Sequence, residues 1–240
     1  MNSGYKEEEA IMMSMVNMLR RMEDLSVAAN SDTYSANELD IFAIEVEGYM
    51  DDIRGLANTR DANGHFMFSG TKVTTLPFTK QADGTVVYNG NQTEPTLELD
   101  TGYQLPLSIS GHKLAGVIER KNALGVVTSR VDMFKVMQDF VTALKANDKT
   151  GVGLALDELQ VVSRNINKNL VDNGLRQNLV EERRDISEDK IVIYKGLLSE
   201  AQDVDYATAI TQLSSDMLAL EAAQSTFAKV SQLSILNFIR

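Results

Sequence analysis

The run Asp203–Arg240, DVDYATAITQLSSDMLALEAAQSTFAKVSQLSILNFIR, holds neither Pro nor Gly, so nothing along it breaks a helix. Apolar residues fall at Ile210, Leu213, Met217, Leu220 and Phe227, with Gln224 in the one expected place between them. That 3,4 alternation is a coiled-coil seam of more than two heptads, and a seam requires a partner helix. Beyond Phe227 the pattern changes, because Val230, Leu233, Ile235, Leu236, Phe238 and Ile239 point to all sides of a helix. A helix apolar all round is buried all round. A frayed hydrophobic tail or a central core helix would read the same way, but assembly with other copies is energetically open. Burying six such side chains is worth roughly 9–18 kcal/mol as an upper bound, against an association cost of roughly 4–15 kcal/mol.

Upstream, the spacing predicts a helix over 5–30 with an apolar stripe at Ile11, Met15, Met18 or Leu19, Met22 and Leu25. Glu7, Glu8 and Glu9 are expected in its first turns, where negative charge suits the helix dipole. The cluster Met12, Met13, Met15, Met18 and Met22 reads as adaptable core filling rather than a metal or cofactor site. After the turn Asn30-Ser31-Asp32-Thr33, Ser35-Ala36-Asn37-Glu38 is a capping box that opens a second helix. Its stripe is Leu39, Phe42, Val46, Tyr49 or Met50, Ile53 and Leu56 or Ala57, and Asn63-Gly64 is expected to end it. So short a link makes the two helices antiparallel neighbours.

From His65 the punctuation changes, and all three prolines (Pro77, Pro95, Pro106) lie between there and Ile118. Phe66-Met67-Phe68, Thr85–Tyr88, Thr96–Leu99 and Tyr103–Ile109 read as strands, with Asp83-Gly84 and Asn89-Gly90 as turns. Pro95 and Pro106 place their strands at edges or bulges. Helices are expected again from Ser129 or Arg130, with a stripe at Val131, Phe134, Met137 or Gln138, Val141 and Leu144. A further stripe at Leu156, Leu159, Val162 or Val161, Ile166 and Leu170 follows, with Asn173-Gly174 as a candidate interruption. From Leu175 the pattern runs through Leu179, Ile186, Ile193, Leu197, Ala201 and Val204 into the C-terminal helix, and Gly196 need not break it.

The fold expected is therefore mainly α with inserted β: an elongated antiparallel helical bundle or coiled coil plus a small β-rich domain. The divisions are 1–64 and 126–225 for the two helical parts, 65–125 for the β-domain and 226–240 for a terminal segment.

Length and composition narrow the function. The 240-residue chain has no Cys and no Trp, which excludes disulfides, thiolate metal sites and Cys nucleophiles. A net charge of −11 argues against a nucleic-acid surface. No signal peptide of the charged-then-apolar type and no apolar run long enough for a membrane span is found. His65 and His112, weighed with Asp61 or Asp83, are not brought together by any spacing, so no metal site is assigned. The neighbouring carboxylates Asp51-Asp52 and Glu181-Glu182 point apart on a helix, and Glu181-Glu182-Arg183-Arg184 reads as a surface charge cluster. No phosphate-binding loop, zinc-protease or hydrolase motif occurs. No catalytic residue or cofactor is assigned.

A resemblance adds to this. Asp205-Tyr206-Ala207, Ile210-Thr211, Leu213, Leu220-Glu221-Ala222-Ala223 and the run Ala228 to Ile239 resemble the C-terminus of the bacterial flagellin superfamily. Leu56 to Gly70, followed by Pro77-Phe78 and Tyr88-Asn89-Gly90, resembles the passage from the second helix into the β-domain in the branch of hook-associated proteins that joins hook to filament. The resemblance implies a structural subunit at the hook–filament junction and not an enzyme. Its partners would be hook-associated protein 1, flagellin, its own copies in a ring and a flagellar export chaperone, with no membrane or nucleic acid. It also implies secretion through the flagellar type III apparatus to the cell exterior. Val230, Leu233, Ile235, Leu236, Phe238 and Ile239 would pack in the core of the tube, and Ile210 to Phe227 would form the seam. A helix of some tens of residues precedes the equivalent of Tyr5 in that family, so the chain is expected to be truncated there. A flagellin-type filament subunit is the alternative; a secreted enzyme on a helical stalk and a sensory or adaptor coiled coil fit less of the chain.

Overall fold

The computed structural model describes residues 2–31, 34–100, 102–121 and 124–232. The chain divides into two units, Met1–Glu181 and Glu182–Arg240. In chain order the first unit holds helices α1 (Asn2–Ala29) and α2 (Ala36–Ala57), strands β1 (Phe78–Lys80), β2 (Val86–Tyr88), β3 (Thr96–Asp100) and β4 (Tyr103–Pro106), the short helix α3 (Gly111–Ala115), strands β5 (Ile118–Lys121) and β6 (Val127–Val131), and helix α4 (Met133–Lys145). Helix α5 (Lys149–Gln232) begins in the first unit and continues into the second as one run of 84 residues. Neither Asn173-Gly174 nor Gly196 interrupts it.

α1 starts earlier than Tyr5, and no acid lies in its first turn. Glu7, Glu8 and Glu9 therefore do not serve the helix dipole as expected. Met12, Met15, Leu19 and Met22 are buried, while Met13 faces solvent. The capping box of α2 forms in full: Glu38 N–H donates to the Ser35 hydroxyl at 3.4 Å, and Ser35 N–H donates to the Glu38 carboxylate at 2.7 Å. That N–H bond first, then the Ser35 hydroxyl, hold the Glu38 carboxyl below its usual range.

α2 stops at Ala57 rather than at Asn63-Gly64. Asn58 ends it by behaving as a strand partner, its amide accepting from Phe78 N–H and donating to Phe78 C=O, both at 2.9 Å. Phe66-Met67-Phe68 is likewise not a strand. Apart from one bridge between Arg60 and Phe66 it turns, and burial of all three side chains holds it in place.

The β-region consists of three antiparallel pairs, β1–β2, β3–β4 and β5–β6. Asp83 and Gly84 turn β1 into β2; Gly84 stands at φ +85°, a left-handed conformation that favours glycine, and the Asp83 carboxylate accepts from Thr85 N–H at 2.9 Å. In β3–β4, Pro106 sits opposite Thr96 at the end of the ladder, and a bulge falls between Glu98 and Asp100. Such short ladders leave every strand at an edge, which is where proline is tolerated. Residues 127–131 form β6, so helix does not return at Ser129 or Arg130 but at Met133, behind the Asp132 cap.

One apolar core joins these parts. Met12, Met15 and Leu19 from α1, Val46 and Ile53 from α2, Phe134, Met137 and Phe140 from α4, and Leu159, Val162 and Ile166 from α5 belong to it. Phe68, Phe78 and Leu114 bring the β-region and α3 into the same cluster. Asn147, at φ 51°, reverses the chain between α4 and α5 in a left-handed conformation that asparagine accepts better than most residues.

Candidate assembly surfaces

Among the described residues the part of α5 in the second unit has no apolar cover. Ile210, Leu213, Met217 and Leu220 are each about 60% exposed, and Phe227 and Val230 are 75% and 62% exposed. They lie on one helix at 3,4 spacing, as their sequence predicts, so the geometry required of a seam exists. Leu233, Ile235, Leu236, Phe238 and Ile239 lie outside the described residues. Upstream in the same unit, Ile186, Ile193 and Leu197 are also exposed, as are Ile191, Val192, Tyr194 and Leu198 on other sides. The helix is held by its own backbone and by local side-chain bonds. Arg184 donates to Glu188 at 2.8 Å, and the hydroxyls of Thr211, Ser214 and Thr226 donate to carbonyls one turn back. Bonds of this kind bury no apolar surface, so this surface is chemically suited to packing against further helices.

The first unit carries two buried polar ties that local sequence reading missed. Glu8 is only 1% exposed. Its carboxylate accepts from Ile109 N–H at 2.8 Å and from the Asn173 amide at 2.6 Å, joining α1 to the segment after β4 and to α5. Burial pushes its carboxyl above the usual glutamate range, while the Ile109 N–H and then Asn173 oppose that shift. A signal was present: Tyr5, Glu8, Met12, Met15 and Leu19 follow 3,4 spacing, which places Glu8 on the buried stripe. The second tie is Arg120 of β5, which donates to both oxygens of Glu158 at 2.6 and 2.7 Å and pairs with Asp139 at 2.8 Å. It fastens the β5–β6 hairpin to α4 and α5, and no spacing in the sequence announces it.

His65 lies beside Asp61, Nδ1 to carboxylate 3.8 Å, at an exposed turn. His112 is in α3, and Asp83 serves the β1–β2 turn. Among the described residues no group of three or more His, Cys, Asp or Glu is placed to hold a metal ion. No described helix is long and apolar enough to cross a membrane.

The helical core, the small antiparallel pairs and the long helix define a class of fold, the flagellin-like one, shared with solved structures of flagellar proteins. The family model of the bacterial flagellin N-terminal helical region matches residues 5–73. Within that class the chain is similar to flagellar hook-associated protein 3. Against the protein of that name from Escherichia coli (strain K12) it is 24% identical over 241 residues, covering 95% of this chain and 75% of the relative. The crystal structure of hook-associated protein 3 from Legionella pneumophila matches with a TM-score of 0.74 at 17% identity, over 85% of this chain and 93% of that one. That of the flagellar junction protein FlgL from Legionella pneumophila matches with a TM-score of 0.66 at 17% identity, over 75% of this chain and 92% of that one.

Proposed function

We propose that this protein is a structural subunit of the bacterial flagellum that joins hook-associated protein 1 to the flagellin filament, acting by helix packing and without catalysis. Ile210, Leu213, Met217, Leu220, Phe227 and Val230, uncovered on one helix, are the observation that carries this reading. Such a seam is stable in water only when neighbouring helices cover it. On this reading Leu233, Ile235, Leu236, Phe238 and Ile239 continue the contact into the wall of the tube, and 65–125 forms an outward-facing domain. Contacts between successive copies are heterologous on this reading, and a rotation that closes makes them a ring. The similarity to proteins named for the hook and the junction supports the location, outside the cell between hook and filament. Export through the flagellar type III apparatus, with a chaperone holding the exposed seam beforehand, fits a chain without cysteine.

The test is complementation. In cells lacking their own hook-associated protein 3, the protein is expected to restore filament growth and motility. Flagellin still leaking into the medium, with the protein folded and exported, would refute the junction role. Deleting Gln224–Arg240 is expected to abolish assembly and leave the cooperative thermal transition of the first unit in place.

A further inference from the structure

A second surface, on the first unit, is matched to a face of the same unit on another helix. The solvent side of α2 carries Asp40, Ile41, Ile44, Glu45, Gly48 and Asp52, all exposed, with Ile41 and Ile44 at 61% and 65%. From Glu38 to Asp52 there is no Lys or Arg. The solvent side of α5 carries the opposite charge: Arg164, Lys168, Val171 and Leu175 are exposed at successive turns, and from Gln160 to Val171 there is no Asp or Glu. Among the described residues, none of Asp40, Asp52, Arg164 and Lys168 takes an ion pair within the chain. The α2 face thus has an apolar line with acids beside it; on the α5 face the line has Arg164 and Lys168 beside it, and Asp172, which interrupts that basic side, is paired with Lys113 at 3.9 Å.

The two faces also stand at a common level. α5 is tied to α1 at Val152, which accepts from the Ser26 hydroxyl, and at Asn173, which donates to Glu8. Arg164 and Lys168 fall between those ties. α2 packs antiparallel along the same part of α1, where the charge of Arg21 reaches Tyr49. Since α1 runs against both, α2 and α5 run in the same direction. A neighbour generated by rotation about an axis along the helices therefore brings the α2 face of one copy beside the α5 face of the next, with acidic and basic residues level.

Gly48 and Gly55 belong to the same side of α2, and a methyl group added at either would meet nothing within the chain. Glycine weakens a helix interior, and packing inside this molecule does not call for it at either position. Both glycines leave room for close approach of a second helix.

We propose that the acidic, apolar side of α2 around Ile44 and Gly48 docks a second copy of this chain through the Arg164–Leu175 face of its α5. The inference rests on the assembly reading and names the surfaces that neighbouring copies use. Charge complementarity here sets which faces meet and in which direction, more than how tightly they hold.

The native chain has no Cys, so thiols introduced in pairs report on contact alone. The protein carrying Asp52→Cys and Lys168→Cys together, expressed in cells lacking hook-associated protein 3, is treated in sheared flagella with a short bis-maleimide. Covalent dimers and a ladder above them are expected for the pair, and monomer for either single variant. In parallel, Asp52→Lys and Lys168→Asp are each expected to cut incorporation by about fivefold, and the double reversal to restore it. Incorporation at the normal level with no linked species, and no loss on charge reversal, overturns the docking proposal while the junction role stands. If the unaltered protein is never retained in flagella, both fall together.

Discussion

Helix α5 passes through two environments with one kind of sequence. On one side of it Val152, Ala155, Leu159, Val162 and Ile166 are buried in the core shared with α1, α2 and α4; between Ile210 and Val230 apolar residues at the same kind of spacing are exposed. Periodicity shows which side of a helix will pack, but not whether the cover comes from the same molecule. In the first unit the covering residues lie in the chain: Met15, Ile53 and Phe140 complete the shell. For the seam of the second unit no such cover is described. On the proposed assembly reading the distinction is one of function, since a closed core makes a particle and an open seam makes a part.

The contrast is broken most directly by truncating one large side chain in each region. Phe134, fully enclosed between Phe78 and the rest of the core, is expected to cost about 3–5 kcal/mol on replacement by Ala. Phe227→Ala is expected to change stability by no more than about 0.5 kcal/mol, and to be felt in assembly instead. Urea denaturation of the two variants settles this; comparable losses would mean that the seam is already covered in solution.

Arg120 gives the next largest effect. Removing it leaves Glu158 with a side chain only 7% exposed and its charge uncompensated. Because Arg120 itself is partly open to solvent, Arg120→Ala is expected to cost about 2–3 kcal/mol, somewhat less than a fully buried pair. Hydrogen exchange across β5 and β6 should rise more than the global loss accounts for, since this residue fastens the hairpin.

Glu8 is read through pH. Its folded carboxyl lies above its ordinary value of 4.5, first because of burial. The folded state therefore binds the proton more strongly than the unfolded state. Its contribution is fully present below 4.5 and is lost as pH rises through the elevated folded value. Arg176 and Glu94 act on it as charges, and Tyr5 and Glu9 are its titratable neighbours on α1. Glu8→Gln should remove this trend, so its stability relative to wild type rises with pH across that window; a pH-independent difference would rule out burial of the charge.

Ser35 ranks below these. Its loss in Ser35→Ala removes the hydroxyl half of the capping box and is expected to cost about 1 kcal/mol, measured as a lowered denaturation midpoint.

What could be read in advance follows the range of the interactions involved. The α2 cap, the α1 stripe and the helical spacing of Ile210 to Phe227 are local patterns; the cap and the stripe stand where spacing put them, and the latter residues lie on one helix. The end of α2 depends on Asn58 meeting Phe78, twenty residues away, and the β5–β6 pair depends on Arg120 reaching Glu158. Neither distance is written in a window of a few turns. α3 is only five residues long and has too little sequence for a periodic signal. Phe66-Met67-Phe68 has strand composition but is placed by burial, because three large side chains fill the core better from a turn. Glu8 was hidden by its neighbours: a run of three acids suggests solvent, although one of them lies on the apolar stripe.

The smallest effect separates the two regions without touching a contact. Gly48 of α2 and Gly196 of α5 both have open space where a side chain would begin. Alanine at either site favours helix over unfolded chain by roughly 0.5–1 kcal/mol. In the first unit α2 unfolds with the core, so Gly48→Ala should raise the cooperative denaturation midpoint by that amount. At Gly196 the surrounding apolar residues are exposed, so there is no core for the added helix preference to act through. Gly196→Ala should slow amide exchange locally and leave the midpoint of the first unit unchanged. A common shift would mean that α5 unfolds as one cooperative rod, and the contrast between a closed core and an open seam would then not extend to the way the chain comes apart.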